Sequence, residues 1–375
     1  VRITVLTTQT VNTRVFYEPL PALGYEMTVI EYDHPGVAQT LPQQVINSSP
    51  DWVLYIGAIP ICHANVPPTE ILAQIGHSHK TVLFCCDGAE PLWWPYLIEY
   101  YDRKIFALQV NIDGVRAGPI GEHGMTALCP VAWEPATYVP SWGVRPINIG
   151  FGGGQHGSRR ATMLQNLINA GLLIYRPRVE TSTEEYRNFL MSCWCIWNSP
   201  ETGGMTSKHV KARILEAALA GCVVLEEKDS PAADWFDEGR DYLTYETVKD
   251  VGDQLNFFRS YPVEARLIAE RLAIKVRRYH SPKVFWRRVE AAIGLAEPLE
   301  MEFPKPMLSK ARPANSNFPR LIISHNNFNL VDYMGEFFVV PHQVGTVYLD
   351  RVADRARPGI RKFTSECEAR TAIGA

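Results

Sequence analysis

The sequence predicts an α/β protein of two doubly wound parallel sheets, followed by a small appendage containing a β-hairpin. Three observations predict it. From residue 3 to about residue 294, short apolar runs alternate with stretches of helical periodicity, the pattern of strands joined by crossover helices. Near the middle, residues 139–146 (Val-Pro-Ser-Trp-Gly-Val-Arg-Pro) interrupt the alternation as an interdomain linker does. From 297 to 319 the composition turns to Pro-Lys-Pro, Arg-Pro and Asn-Ser-Asn, a second linker. The boundaries that follow are 1–140, 141–296, 297–320 and 321–375.

A chain of 375 residues is long enough for two such domains, each with its own core. A hydrophobic content of 46%, a charged content of 21% and a net charge of −3 give no pull toward nucleic acid or anionic membrane. No run approaches the roughly 18 apolar residues of a membrane span. The opening Val-Arg-Ile-Thr-Val-Leu reads as a strand and not a signal peptide, so a cytoplasmic location is expected. The eight cysteines include Cys85-Cys86 and Cys193-x-Cys195 in apolar runs, without the paired CxxC spacing of a zinc site. Free thiols in a reducing compartment are the expectation.

In the first domain, strands are expected at 3–6, 27–31, 52–56, 81–86, 105–110 and 127–129, and helices at 12–23, 39–47, 68–76 and 90–103. No GxGxxG follows the first strand, which disfavours a dinucleotide site there. Function in such sheets collects at the carboxyl ends of strands. Asp87 stands there, directly after 81–86 in Cys-Cys-Asp-Gly-Ala-Glu, and suits a general base for an acceptor hydroxyl. Glu90 and His63, the latter after the third strand, are its companion candidates. The competing reading of Asp87 is an Asx-turn or helix cap before a glycine. His77 and His79 fall at the opposite edge and read as structural or solvated. Trp93, Trp94, Tyr96, Tyr100 and Tyr101 are at helical spacing, expected mostly in the core, the alternative being a sugar-binding wall.

The second domain opens with Ile-Asn-Ile-Gly-Phe-Gly-Gly-Gly from Ile147 and a helix reaching Ala170. Gly152 and Gly153 at the strand end let a ligand approach the backbone, and Arg159, or its neighbour Arg160, in the first helical turn suits a phosphate. A strand at 172–175 follows, and Ser182 with Glu185 predicts a capping box for a helix at 183–191. Then come a strand at 194–197, a polar loop at 199–206, a helix at 207–220 stopped by Gly221, and a strand at 222–225. A strand, a loop at its carboxyl end and a helix opening there make a ligand site, and the free N–H groups of the helix favour a diphosphate. On that helix His209, Arg213 and Glu216 fall at i, i+4, i+7, while Val210, Ile214 and Ala217 form an apolar face. Spacing alone also fits a solvated face with an Arg213–Glu216 pair. A strand at 242–245, a helix at 248–258 and a helical region at 263–294 complete the domain, with Arg277, Arg278, Arg287 and Arg288 read as solvated. In the tail, residues 329–341 read as a hairpin turning at 334–336, followed by strand-like 345–349 and a helix near 366–373. At roughly 50 residues this module is expected to pack on a domain or on a second subunit, which makes it a candidate contact for a homo-oligomer.

The run Lys211-x-Arg213-Ile214-Leu215-Glu216-Ala217-x-x-Ala220-Gly221-Cys222, followed by Phe236-x-x-Gly239-x-Asp241-Tyr242, resembles the C-terminal domain of GT-B glycosyltransferases, and within them the spore-maturation-type family. The resemblance continues through Ile268-Ala269 to His280-Ser281-Pro282 and the helix at Trp286, covering about 147–294 well and 1–146 loosely. Leu215 stands where the family usually has Phe, and Asp241 where it usually has Glu. The resemblance implies a GT-B fold: two Rossmann-like domains facing a cleft, with an unidentified acceptor on the first and a nucleotide-diphosphate sugar on the second. UDP-sugar comes ahead of GDP-sugar as donor. No bound metal is implied, since helix N-termini and basic side chains stabilise the departing diphosphate. Lys208, Lys211, Arg213 and Arg159 are the candidates for that role. Glu216 would accept hydrogen bonds from the ribose hydroxyls by match to the family glutamate. Asn198 and Glu201, in the loop before the helix, are further donor-site candidates. Glu201 is the nearest counterpart of an acidic residue that related enzymes carry there, though residues 202–207 separate it from the helix. The implied activity is sugar transfer to a hydroxyl of a glycan, small molecule or protein. A sugar-nucleotide epimerase of the same fold is one alternative. A non-catalytic carbohydrate-binding or assembly protein is another, against which the Arg213/Glu216 pattern argues.

Overall fold

The apolar runs of the first third pair side by side, all parallel. Strands β1 (Arg2–Thr7), β2 (Glu26–Glu31), β3 (Trp52–Ile56), β4 (Thr81–Cys85), β5 (Leu108–Asn111) and β6 (Met125–Thr126) form one sheet in the order β2-β1-β3-β4-β5-β6. Helices α1 (Val37–Ser48), α2 (Thr69–Ser78) and α3 (Trp94–Asp102) connect them. β3 and β4 are buried along their whole length, as expected where helices cover both faces of a parallel sheet. The computed structural model describes residues 1–9, 16–59, 65–90, 93–116, 123–131, 139–155, 158–177, 182–201, 208–299, 320–325, 328–333, 336–341 and 358–374, with Arg14, Ile120, Arg355 and Ala356 in addition.

The second sheet contains β7 (Ile147–Gly152), β8 (Ile174–Arg176), β9 (Cys193–Trp197), β10 (Val223–Glu227) and β11 (Leu243–Tyr245), again parallel, in the order β11-β10-β9-β7-β8. Its helices are α4 (Ser158–Asn169), α5 (Thr183–Met191), α6 (Ala212–Leu219), α7 (Val248–Ser260), α8 (Pro262–Tyr279) and α9 (Pro282–Ala292). Ser182 and Glu185 form the capping box at α5. Both sheets reverse direction of growth between their first and third strands. Such switch points leave a crevice beyond the carboxyl ends, one between β1 and β3 and one between β7 and β9.

Three sequence expectations need correction. The helix expected from residue 207 starts at Ala212, with Lys211 extended at its N-cap. The backbone ahead of it is spent on tertiary bonds: Glu201 bridges Lys208, and the Val210 N–H donates to the Asp113 carbonyl of the first domain at 2.8 Å. His209 is therefore not on a helical face with Arg213 and Glu216. The helical region at 263–294 is two helices, broken where the Ser281 hydroxyl caps α9 and Pro282 opens it. Of the helix expected at 12–23, the described residues show a short 3-10 turn at Pro21–Leu23, closed by Gly24 at φ 91°.

α9 also returns to the first domain. Phe285, Trp286, Val289 and Ile293 join a core with Ile3, Trp52 and Phe84, and the Trp286 ring stacks on Phe84 at 5.2 Å. Lys80 Nζ donates to the Ile293 carbonyl at 3.0 Å. The tail forms an antiparallel sheet of β12 (Arg320–His325), β13 (Phe328–Tyr333), β14 (Glu336–Pro341) and β15 (Arg361–Phe363), backed by α10 (Glu366–Ile373). The two faces of its strands divide the work by the period of two. Val331, Phe338 and Val340 enter the first domain's core beside Tyr32 and Tyr55, while Leu330 and Val339 meet Ala369 and Ile373. The module thus packs on its own first domain; of the expected turn at 334–336, Glu336 opens β14, and residues 334–335 and the strand at 345–349 lie outside the described residues. Among the described residues no helix is long and apolar enough to cross a membrane.

Candidate active site

At the switch point of the second sheet, Arg213 in the first turn of α6 ties two strand ends together. Its Nε donates to the carbonyl of Gly152, the last residue of β7, at 2.6 Å, and its Nη1 donates to Asn198 Oδ1 after β9. The guanidinium lies over the Phe151 ring, 4.5 Å from its centre. Both glycines are required by close approach. A Cβ on Gly152 would fall 2.2 Å from the Tyr186 ring, and one on Gly153 would fall 2.2 Å from Arg213 Nη2. Asn198 is fixed in turn: its amide donates to Glu226 Oε2 at 2.5 Å and its carbonyl accepts from the Tyr245 hydroxyl at 2.7 Å. Glu216, one turn further along α6, is buried and accepts from the Tyr186 hydroxyl at 3.1 Å.

Burial pushes the Glu226 carboxyl up to about 7, against the pull of Asn198 and Arg213. A carboxyl raised in the folded state stabilises fully below the ordinary value of 4.5, and that stabilisation is lost as pH rises through 7. The loss amounts to about 3 kcal/mol at 1.36 kcal/mol per unit. Glu226→Gln keeps an oxygen for Asn198 and removes the ionisation. Urea unfolding between pH 4.5 and 8 should show the wild-type protein losing stability relative to this variant; parallel profiles would contradict it.

The other basic residues divide between free and occupied positions. Arg159 is 63% exposed and pairs with Glu227 at 2.8 Å, and Lys208 pairs with the same carboxylate at 3.4 Å. Glu201 Oε2 accepts the Arg160 N–H at 3.1 Å, so it caps α4. Arg160, and not Arg159, is the buried arginine facing inward, with Nη2 3.4 Å from the Ser199 carbonyl. A cavity of about 330 Å³ opens beside it, lined by Arg159, Trp197, Ser199, Glu227 and Tyr245. Lys211 is lowered to about 8, by burial first and then by Arg160, with Asp87 and Asp113 pulling it back.

Across the cleft, at the carboxyl ends of β4 and β5, three carboxylates surround an imidazole from the second domain. His209 Nδ1 is 3.4 Å from Asp113 Oδ1 and 3.9 Å from Asp87 Oδ1, and its Nε2 is 3.6 Å from Glu90 Oε1. Glu90 is buried against the ring, whereas the Asp87 side chain is 54% exposed. Burial, then Lys211 and Arg160, hold the His209 imidazole well below its ordinary range, so it is neutral at pH 7. The enclosing protein raises the Asp87 carboxyl, with Lys211 opposing. The domains meet tightly here: Trp235 Nε1 donates to the Gly114 carbonyl at 2.6 Å. His63 lies outside the described residues. Asp113 and Arg160 complete the constellation; Asp113 follows an expected strand as Asp87 does, and the same strand-end rule would have found it. Of the aromatic run, Trp93 and Tyr100 are core, Trp94 and Tyr96 are partly buried against it, and Tyr101 is exposed and stacks on His123.

Residues 165–291 match the family model described as glycosyl transferase-like. No curated protein matches this chain. Among solved structures, HepE of Anabaena in complex with UDP-glucose is similar over 78% of this chain and 100% of its own, at 12% identity and a TM-score of 0.52. An alpha-glucosyltransferase, solved with UDP and a 13-mer DNA containing an A:G mismatch, is similar over 78% of this chain and 99% of its own, at 8% identity and a TM-score of 0.56. A glycosyltransferase from Rickettsia africae gives 11% identity and a TM-score of 0.52 over 78% of this chain and 98% of its own. The fold is GT-B, with the glycosyl transferase-like region in its second half.

Proposed function

We propose that this protein is a glycosyltransferase of the spore-maturation type, moving a sugar from a UDP-sugar to an acceptor hydroxyl. The observation that carries this reading is Arg213, held at the switch point of the second sheet by Gly152, Asn198 and Phe151, opposite the half-exposed carboxylate of Asp87. The α6 N-cap, Lys211, contributes no side-chain bond; the Ile214 N–H turns back to the Lys211 carbonyl at 3.0 Å, which leaves the N–H groups of Ala212 and Arg213 to face an anion. α4 differs, because Glu201 already occupies its N-terminus. The donor diphosphate sits at α6 between Arg213, Lys211 and Arg160, and Glu216 binds the ribose. Residues 1–140 hold the acceptor and 141–296 the donor. UDP is the favoured nucleotide because HepE and the alpha-glucosyltransferase were both solved with it.

In the reaction the acceptor oxygen bonds to the anomeric carbon, the bond to the diphosphate breaks, and the diphosphate leaves onto the cationic group. In an inverting enzyme the acceptor proton passes to Asp87. In a retaining one the departing phosphate takes it, and Asp87 positions the acceptor. The described cysteines are all free thiols, which suits a reducing compartment such as the cytoplasm.

Calorimetry and thermal shift with UDP, GDP, ADP and dTDP test the reading. A nucleotide at 100 times its Kd should raise stability by about 2.7 kcal/mol. Binding of none at millimolar concentration would sink it. Glu216→Gln should weaken UDP binding by about 1–3 kcal/mol, since an amide replaces a double acceptor. Its Tyr186 contact can persist, because the amide still accepts. Unchanged affinity in a folded variant would make Glu216 a structural partner of Tyr186 only.

A further inference from the structure

We propose that Asp87, Asp113 and His209 form a divalent transition-metal site closed across the two domains, with Glu90 orienting the imidazole. The three ligand atoms, two carboxylate oxygens and Nδ1, lie within 4.8 Å of one another. Ligands held about 2.0–2.2 Å from one ion stand at most about 4.4 Å apart, so the cluster has only to contract by a few tenths of an ångström to close on an ion. Asp113 Oδ2 is engaged by the Ala89 N–H at 3.0 Å, which fixes the carboxylate with Oδ1 toward the ring.

The imidazole itself calls for a cation. Nε2 is buried and has no hydrogen-bond partner, and it faces Glu90. A neutral ring carries one N–H. If the hydrogen is on Nε2, toward Glu90, the bare lone pair of Nδ1 faces the carboxylates of Asp87 and Asp113. If it is on Nδ1, the bare lone pair of Nε2 faces Glu90. With the carboxylates ionised, either tautomer sets a lone pair against a carboxylate, a conflict that a proton shared with Asp113 or a cation on Nδ1 relieves. A metal on Nδ1 removes the conflict and leaves Nε2–H for Glu90, the carboxylate–histidine–metal arrangement of many sites. Among the described residues, neither Asp87 nor Asp113 has an ion-pair partner other than His209. Two carboxylates with one imidazole favour Mn²⁺ or Zn²⁺ over the all-oxygen preference of Mg²⁺ and Ca²⁺. The half-exposed Asp87 gives the ion its way in.

The inference does not depend on sugar transfer, and its test uses no nucleotide. The full-length protein, freed of metal with a chelator, is titrated with Mn²⁺ alone and followed by paramagnetic resonance, with Zn²⁺ as competitor. One Mn²⁺ per chain, displaced by Zn²⁺, is expected. Glu90→Gln should weaken binding by about 10- to 100-fold, as the loss of an outer partner does. His209→Ala and Asp87→Asn should weaken it further. Asp87 is half-exposed, so its variant keeps the test open if His209→Ala fails to fold. No binding at millimolar Mn²⁺ or Zn²⁺, or equal affinity in Asp87→Asn, overturns the site and leaves a proton shared between Asp113 and His209. UDP binding to the metal-free protein, measured separately, distinguishes that failure from failure of the donor site.

Discussion

Asp87→Asn is expected to lower turnover by about two to four orders of magnitude while leaving UDP affinity little changed. The carboxylate follows β4, a strand buried along its length, and stands at the mouth of the cleft with its side chain 54% exposed. The amide keeps size and polarity but cannot take the acceptor proton. The base must be ionised, so activity falls as pH drops through the Asp87 pKa. In the metal-free protein that pKa is raised by burial, and the acid limb measured there should lie above the ordinary aspartate range. Oδ1 is the oxygen nearest His209, and the second oxygen is left for the acceptor, so holding an ion and taking a proton do not exclude each other. The measurement is UDP release from the UDP-sugar across pH, with UDP binding by calorimetry. Near-normal turnover in the variant would remove the base role, and the stereochemistry of the product would then say whether the leaving phosphate does the work.

Arg213→Lys should be almost as damaging, lowering turnover by about 10²–10³. Lysine keeps the charge, but a single ammonium cannot reach the Gly152 carbonyl and Asn198 together while lying flat on Phe151. The loss should appear in kcat more than in UDP affinity, because the negative charge on the diphosphate is greatest as the sugar bond breaks. Lys211 and Arg160 would continue to attract the nucleotide. A variant with normal kcat and only weaker binding would show that Arg213 holds the ground state, and the transition-state role would fall.

The sequence by itself determined what depends on local periodicity. Apolar runs such as 52–56 and 81–85 are buried on both faces, so their strands needed no tertiary information to recognise. The Ser182–Glu185 box is likewise a short-range bond between near neighbours. The strand-end rule placed Asp87 at the carboxyl edge of its sheet, and the strand-loop-helix pattern with the family resemblance pointed to Arg213, before any contact was known.

Tertiary structure decided the rest, wherever a long-range bond outweighed a local preference. Helix propensities differ by about 0.7 kcal/mol per residue or less among ordinary side chains. The Val210–Asp113 backbone bond and the burial of His209 outweigh that preference, so residues 208–211 leave the helix and cross to the other domain. Arg159 and Arg160 are indistinguishable in sequence, yet Glu227 takes the first at the surface and burial beside Ser199 turns the second inward. Arg145 looked like linker, but its guanidinium donates to the carbonyls of Cys193 and Ala220, tying the second domain's entry to the end of α6. α9 reads as the close of the second domain and packs instead in the first, because Trp286 finds its apolar partners, Trp52 and Phe84, more than 200 residues earlier. No window along the chain spans those distances, and it is such contacts that bring His209 into the acidic pocket.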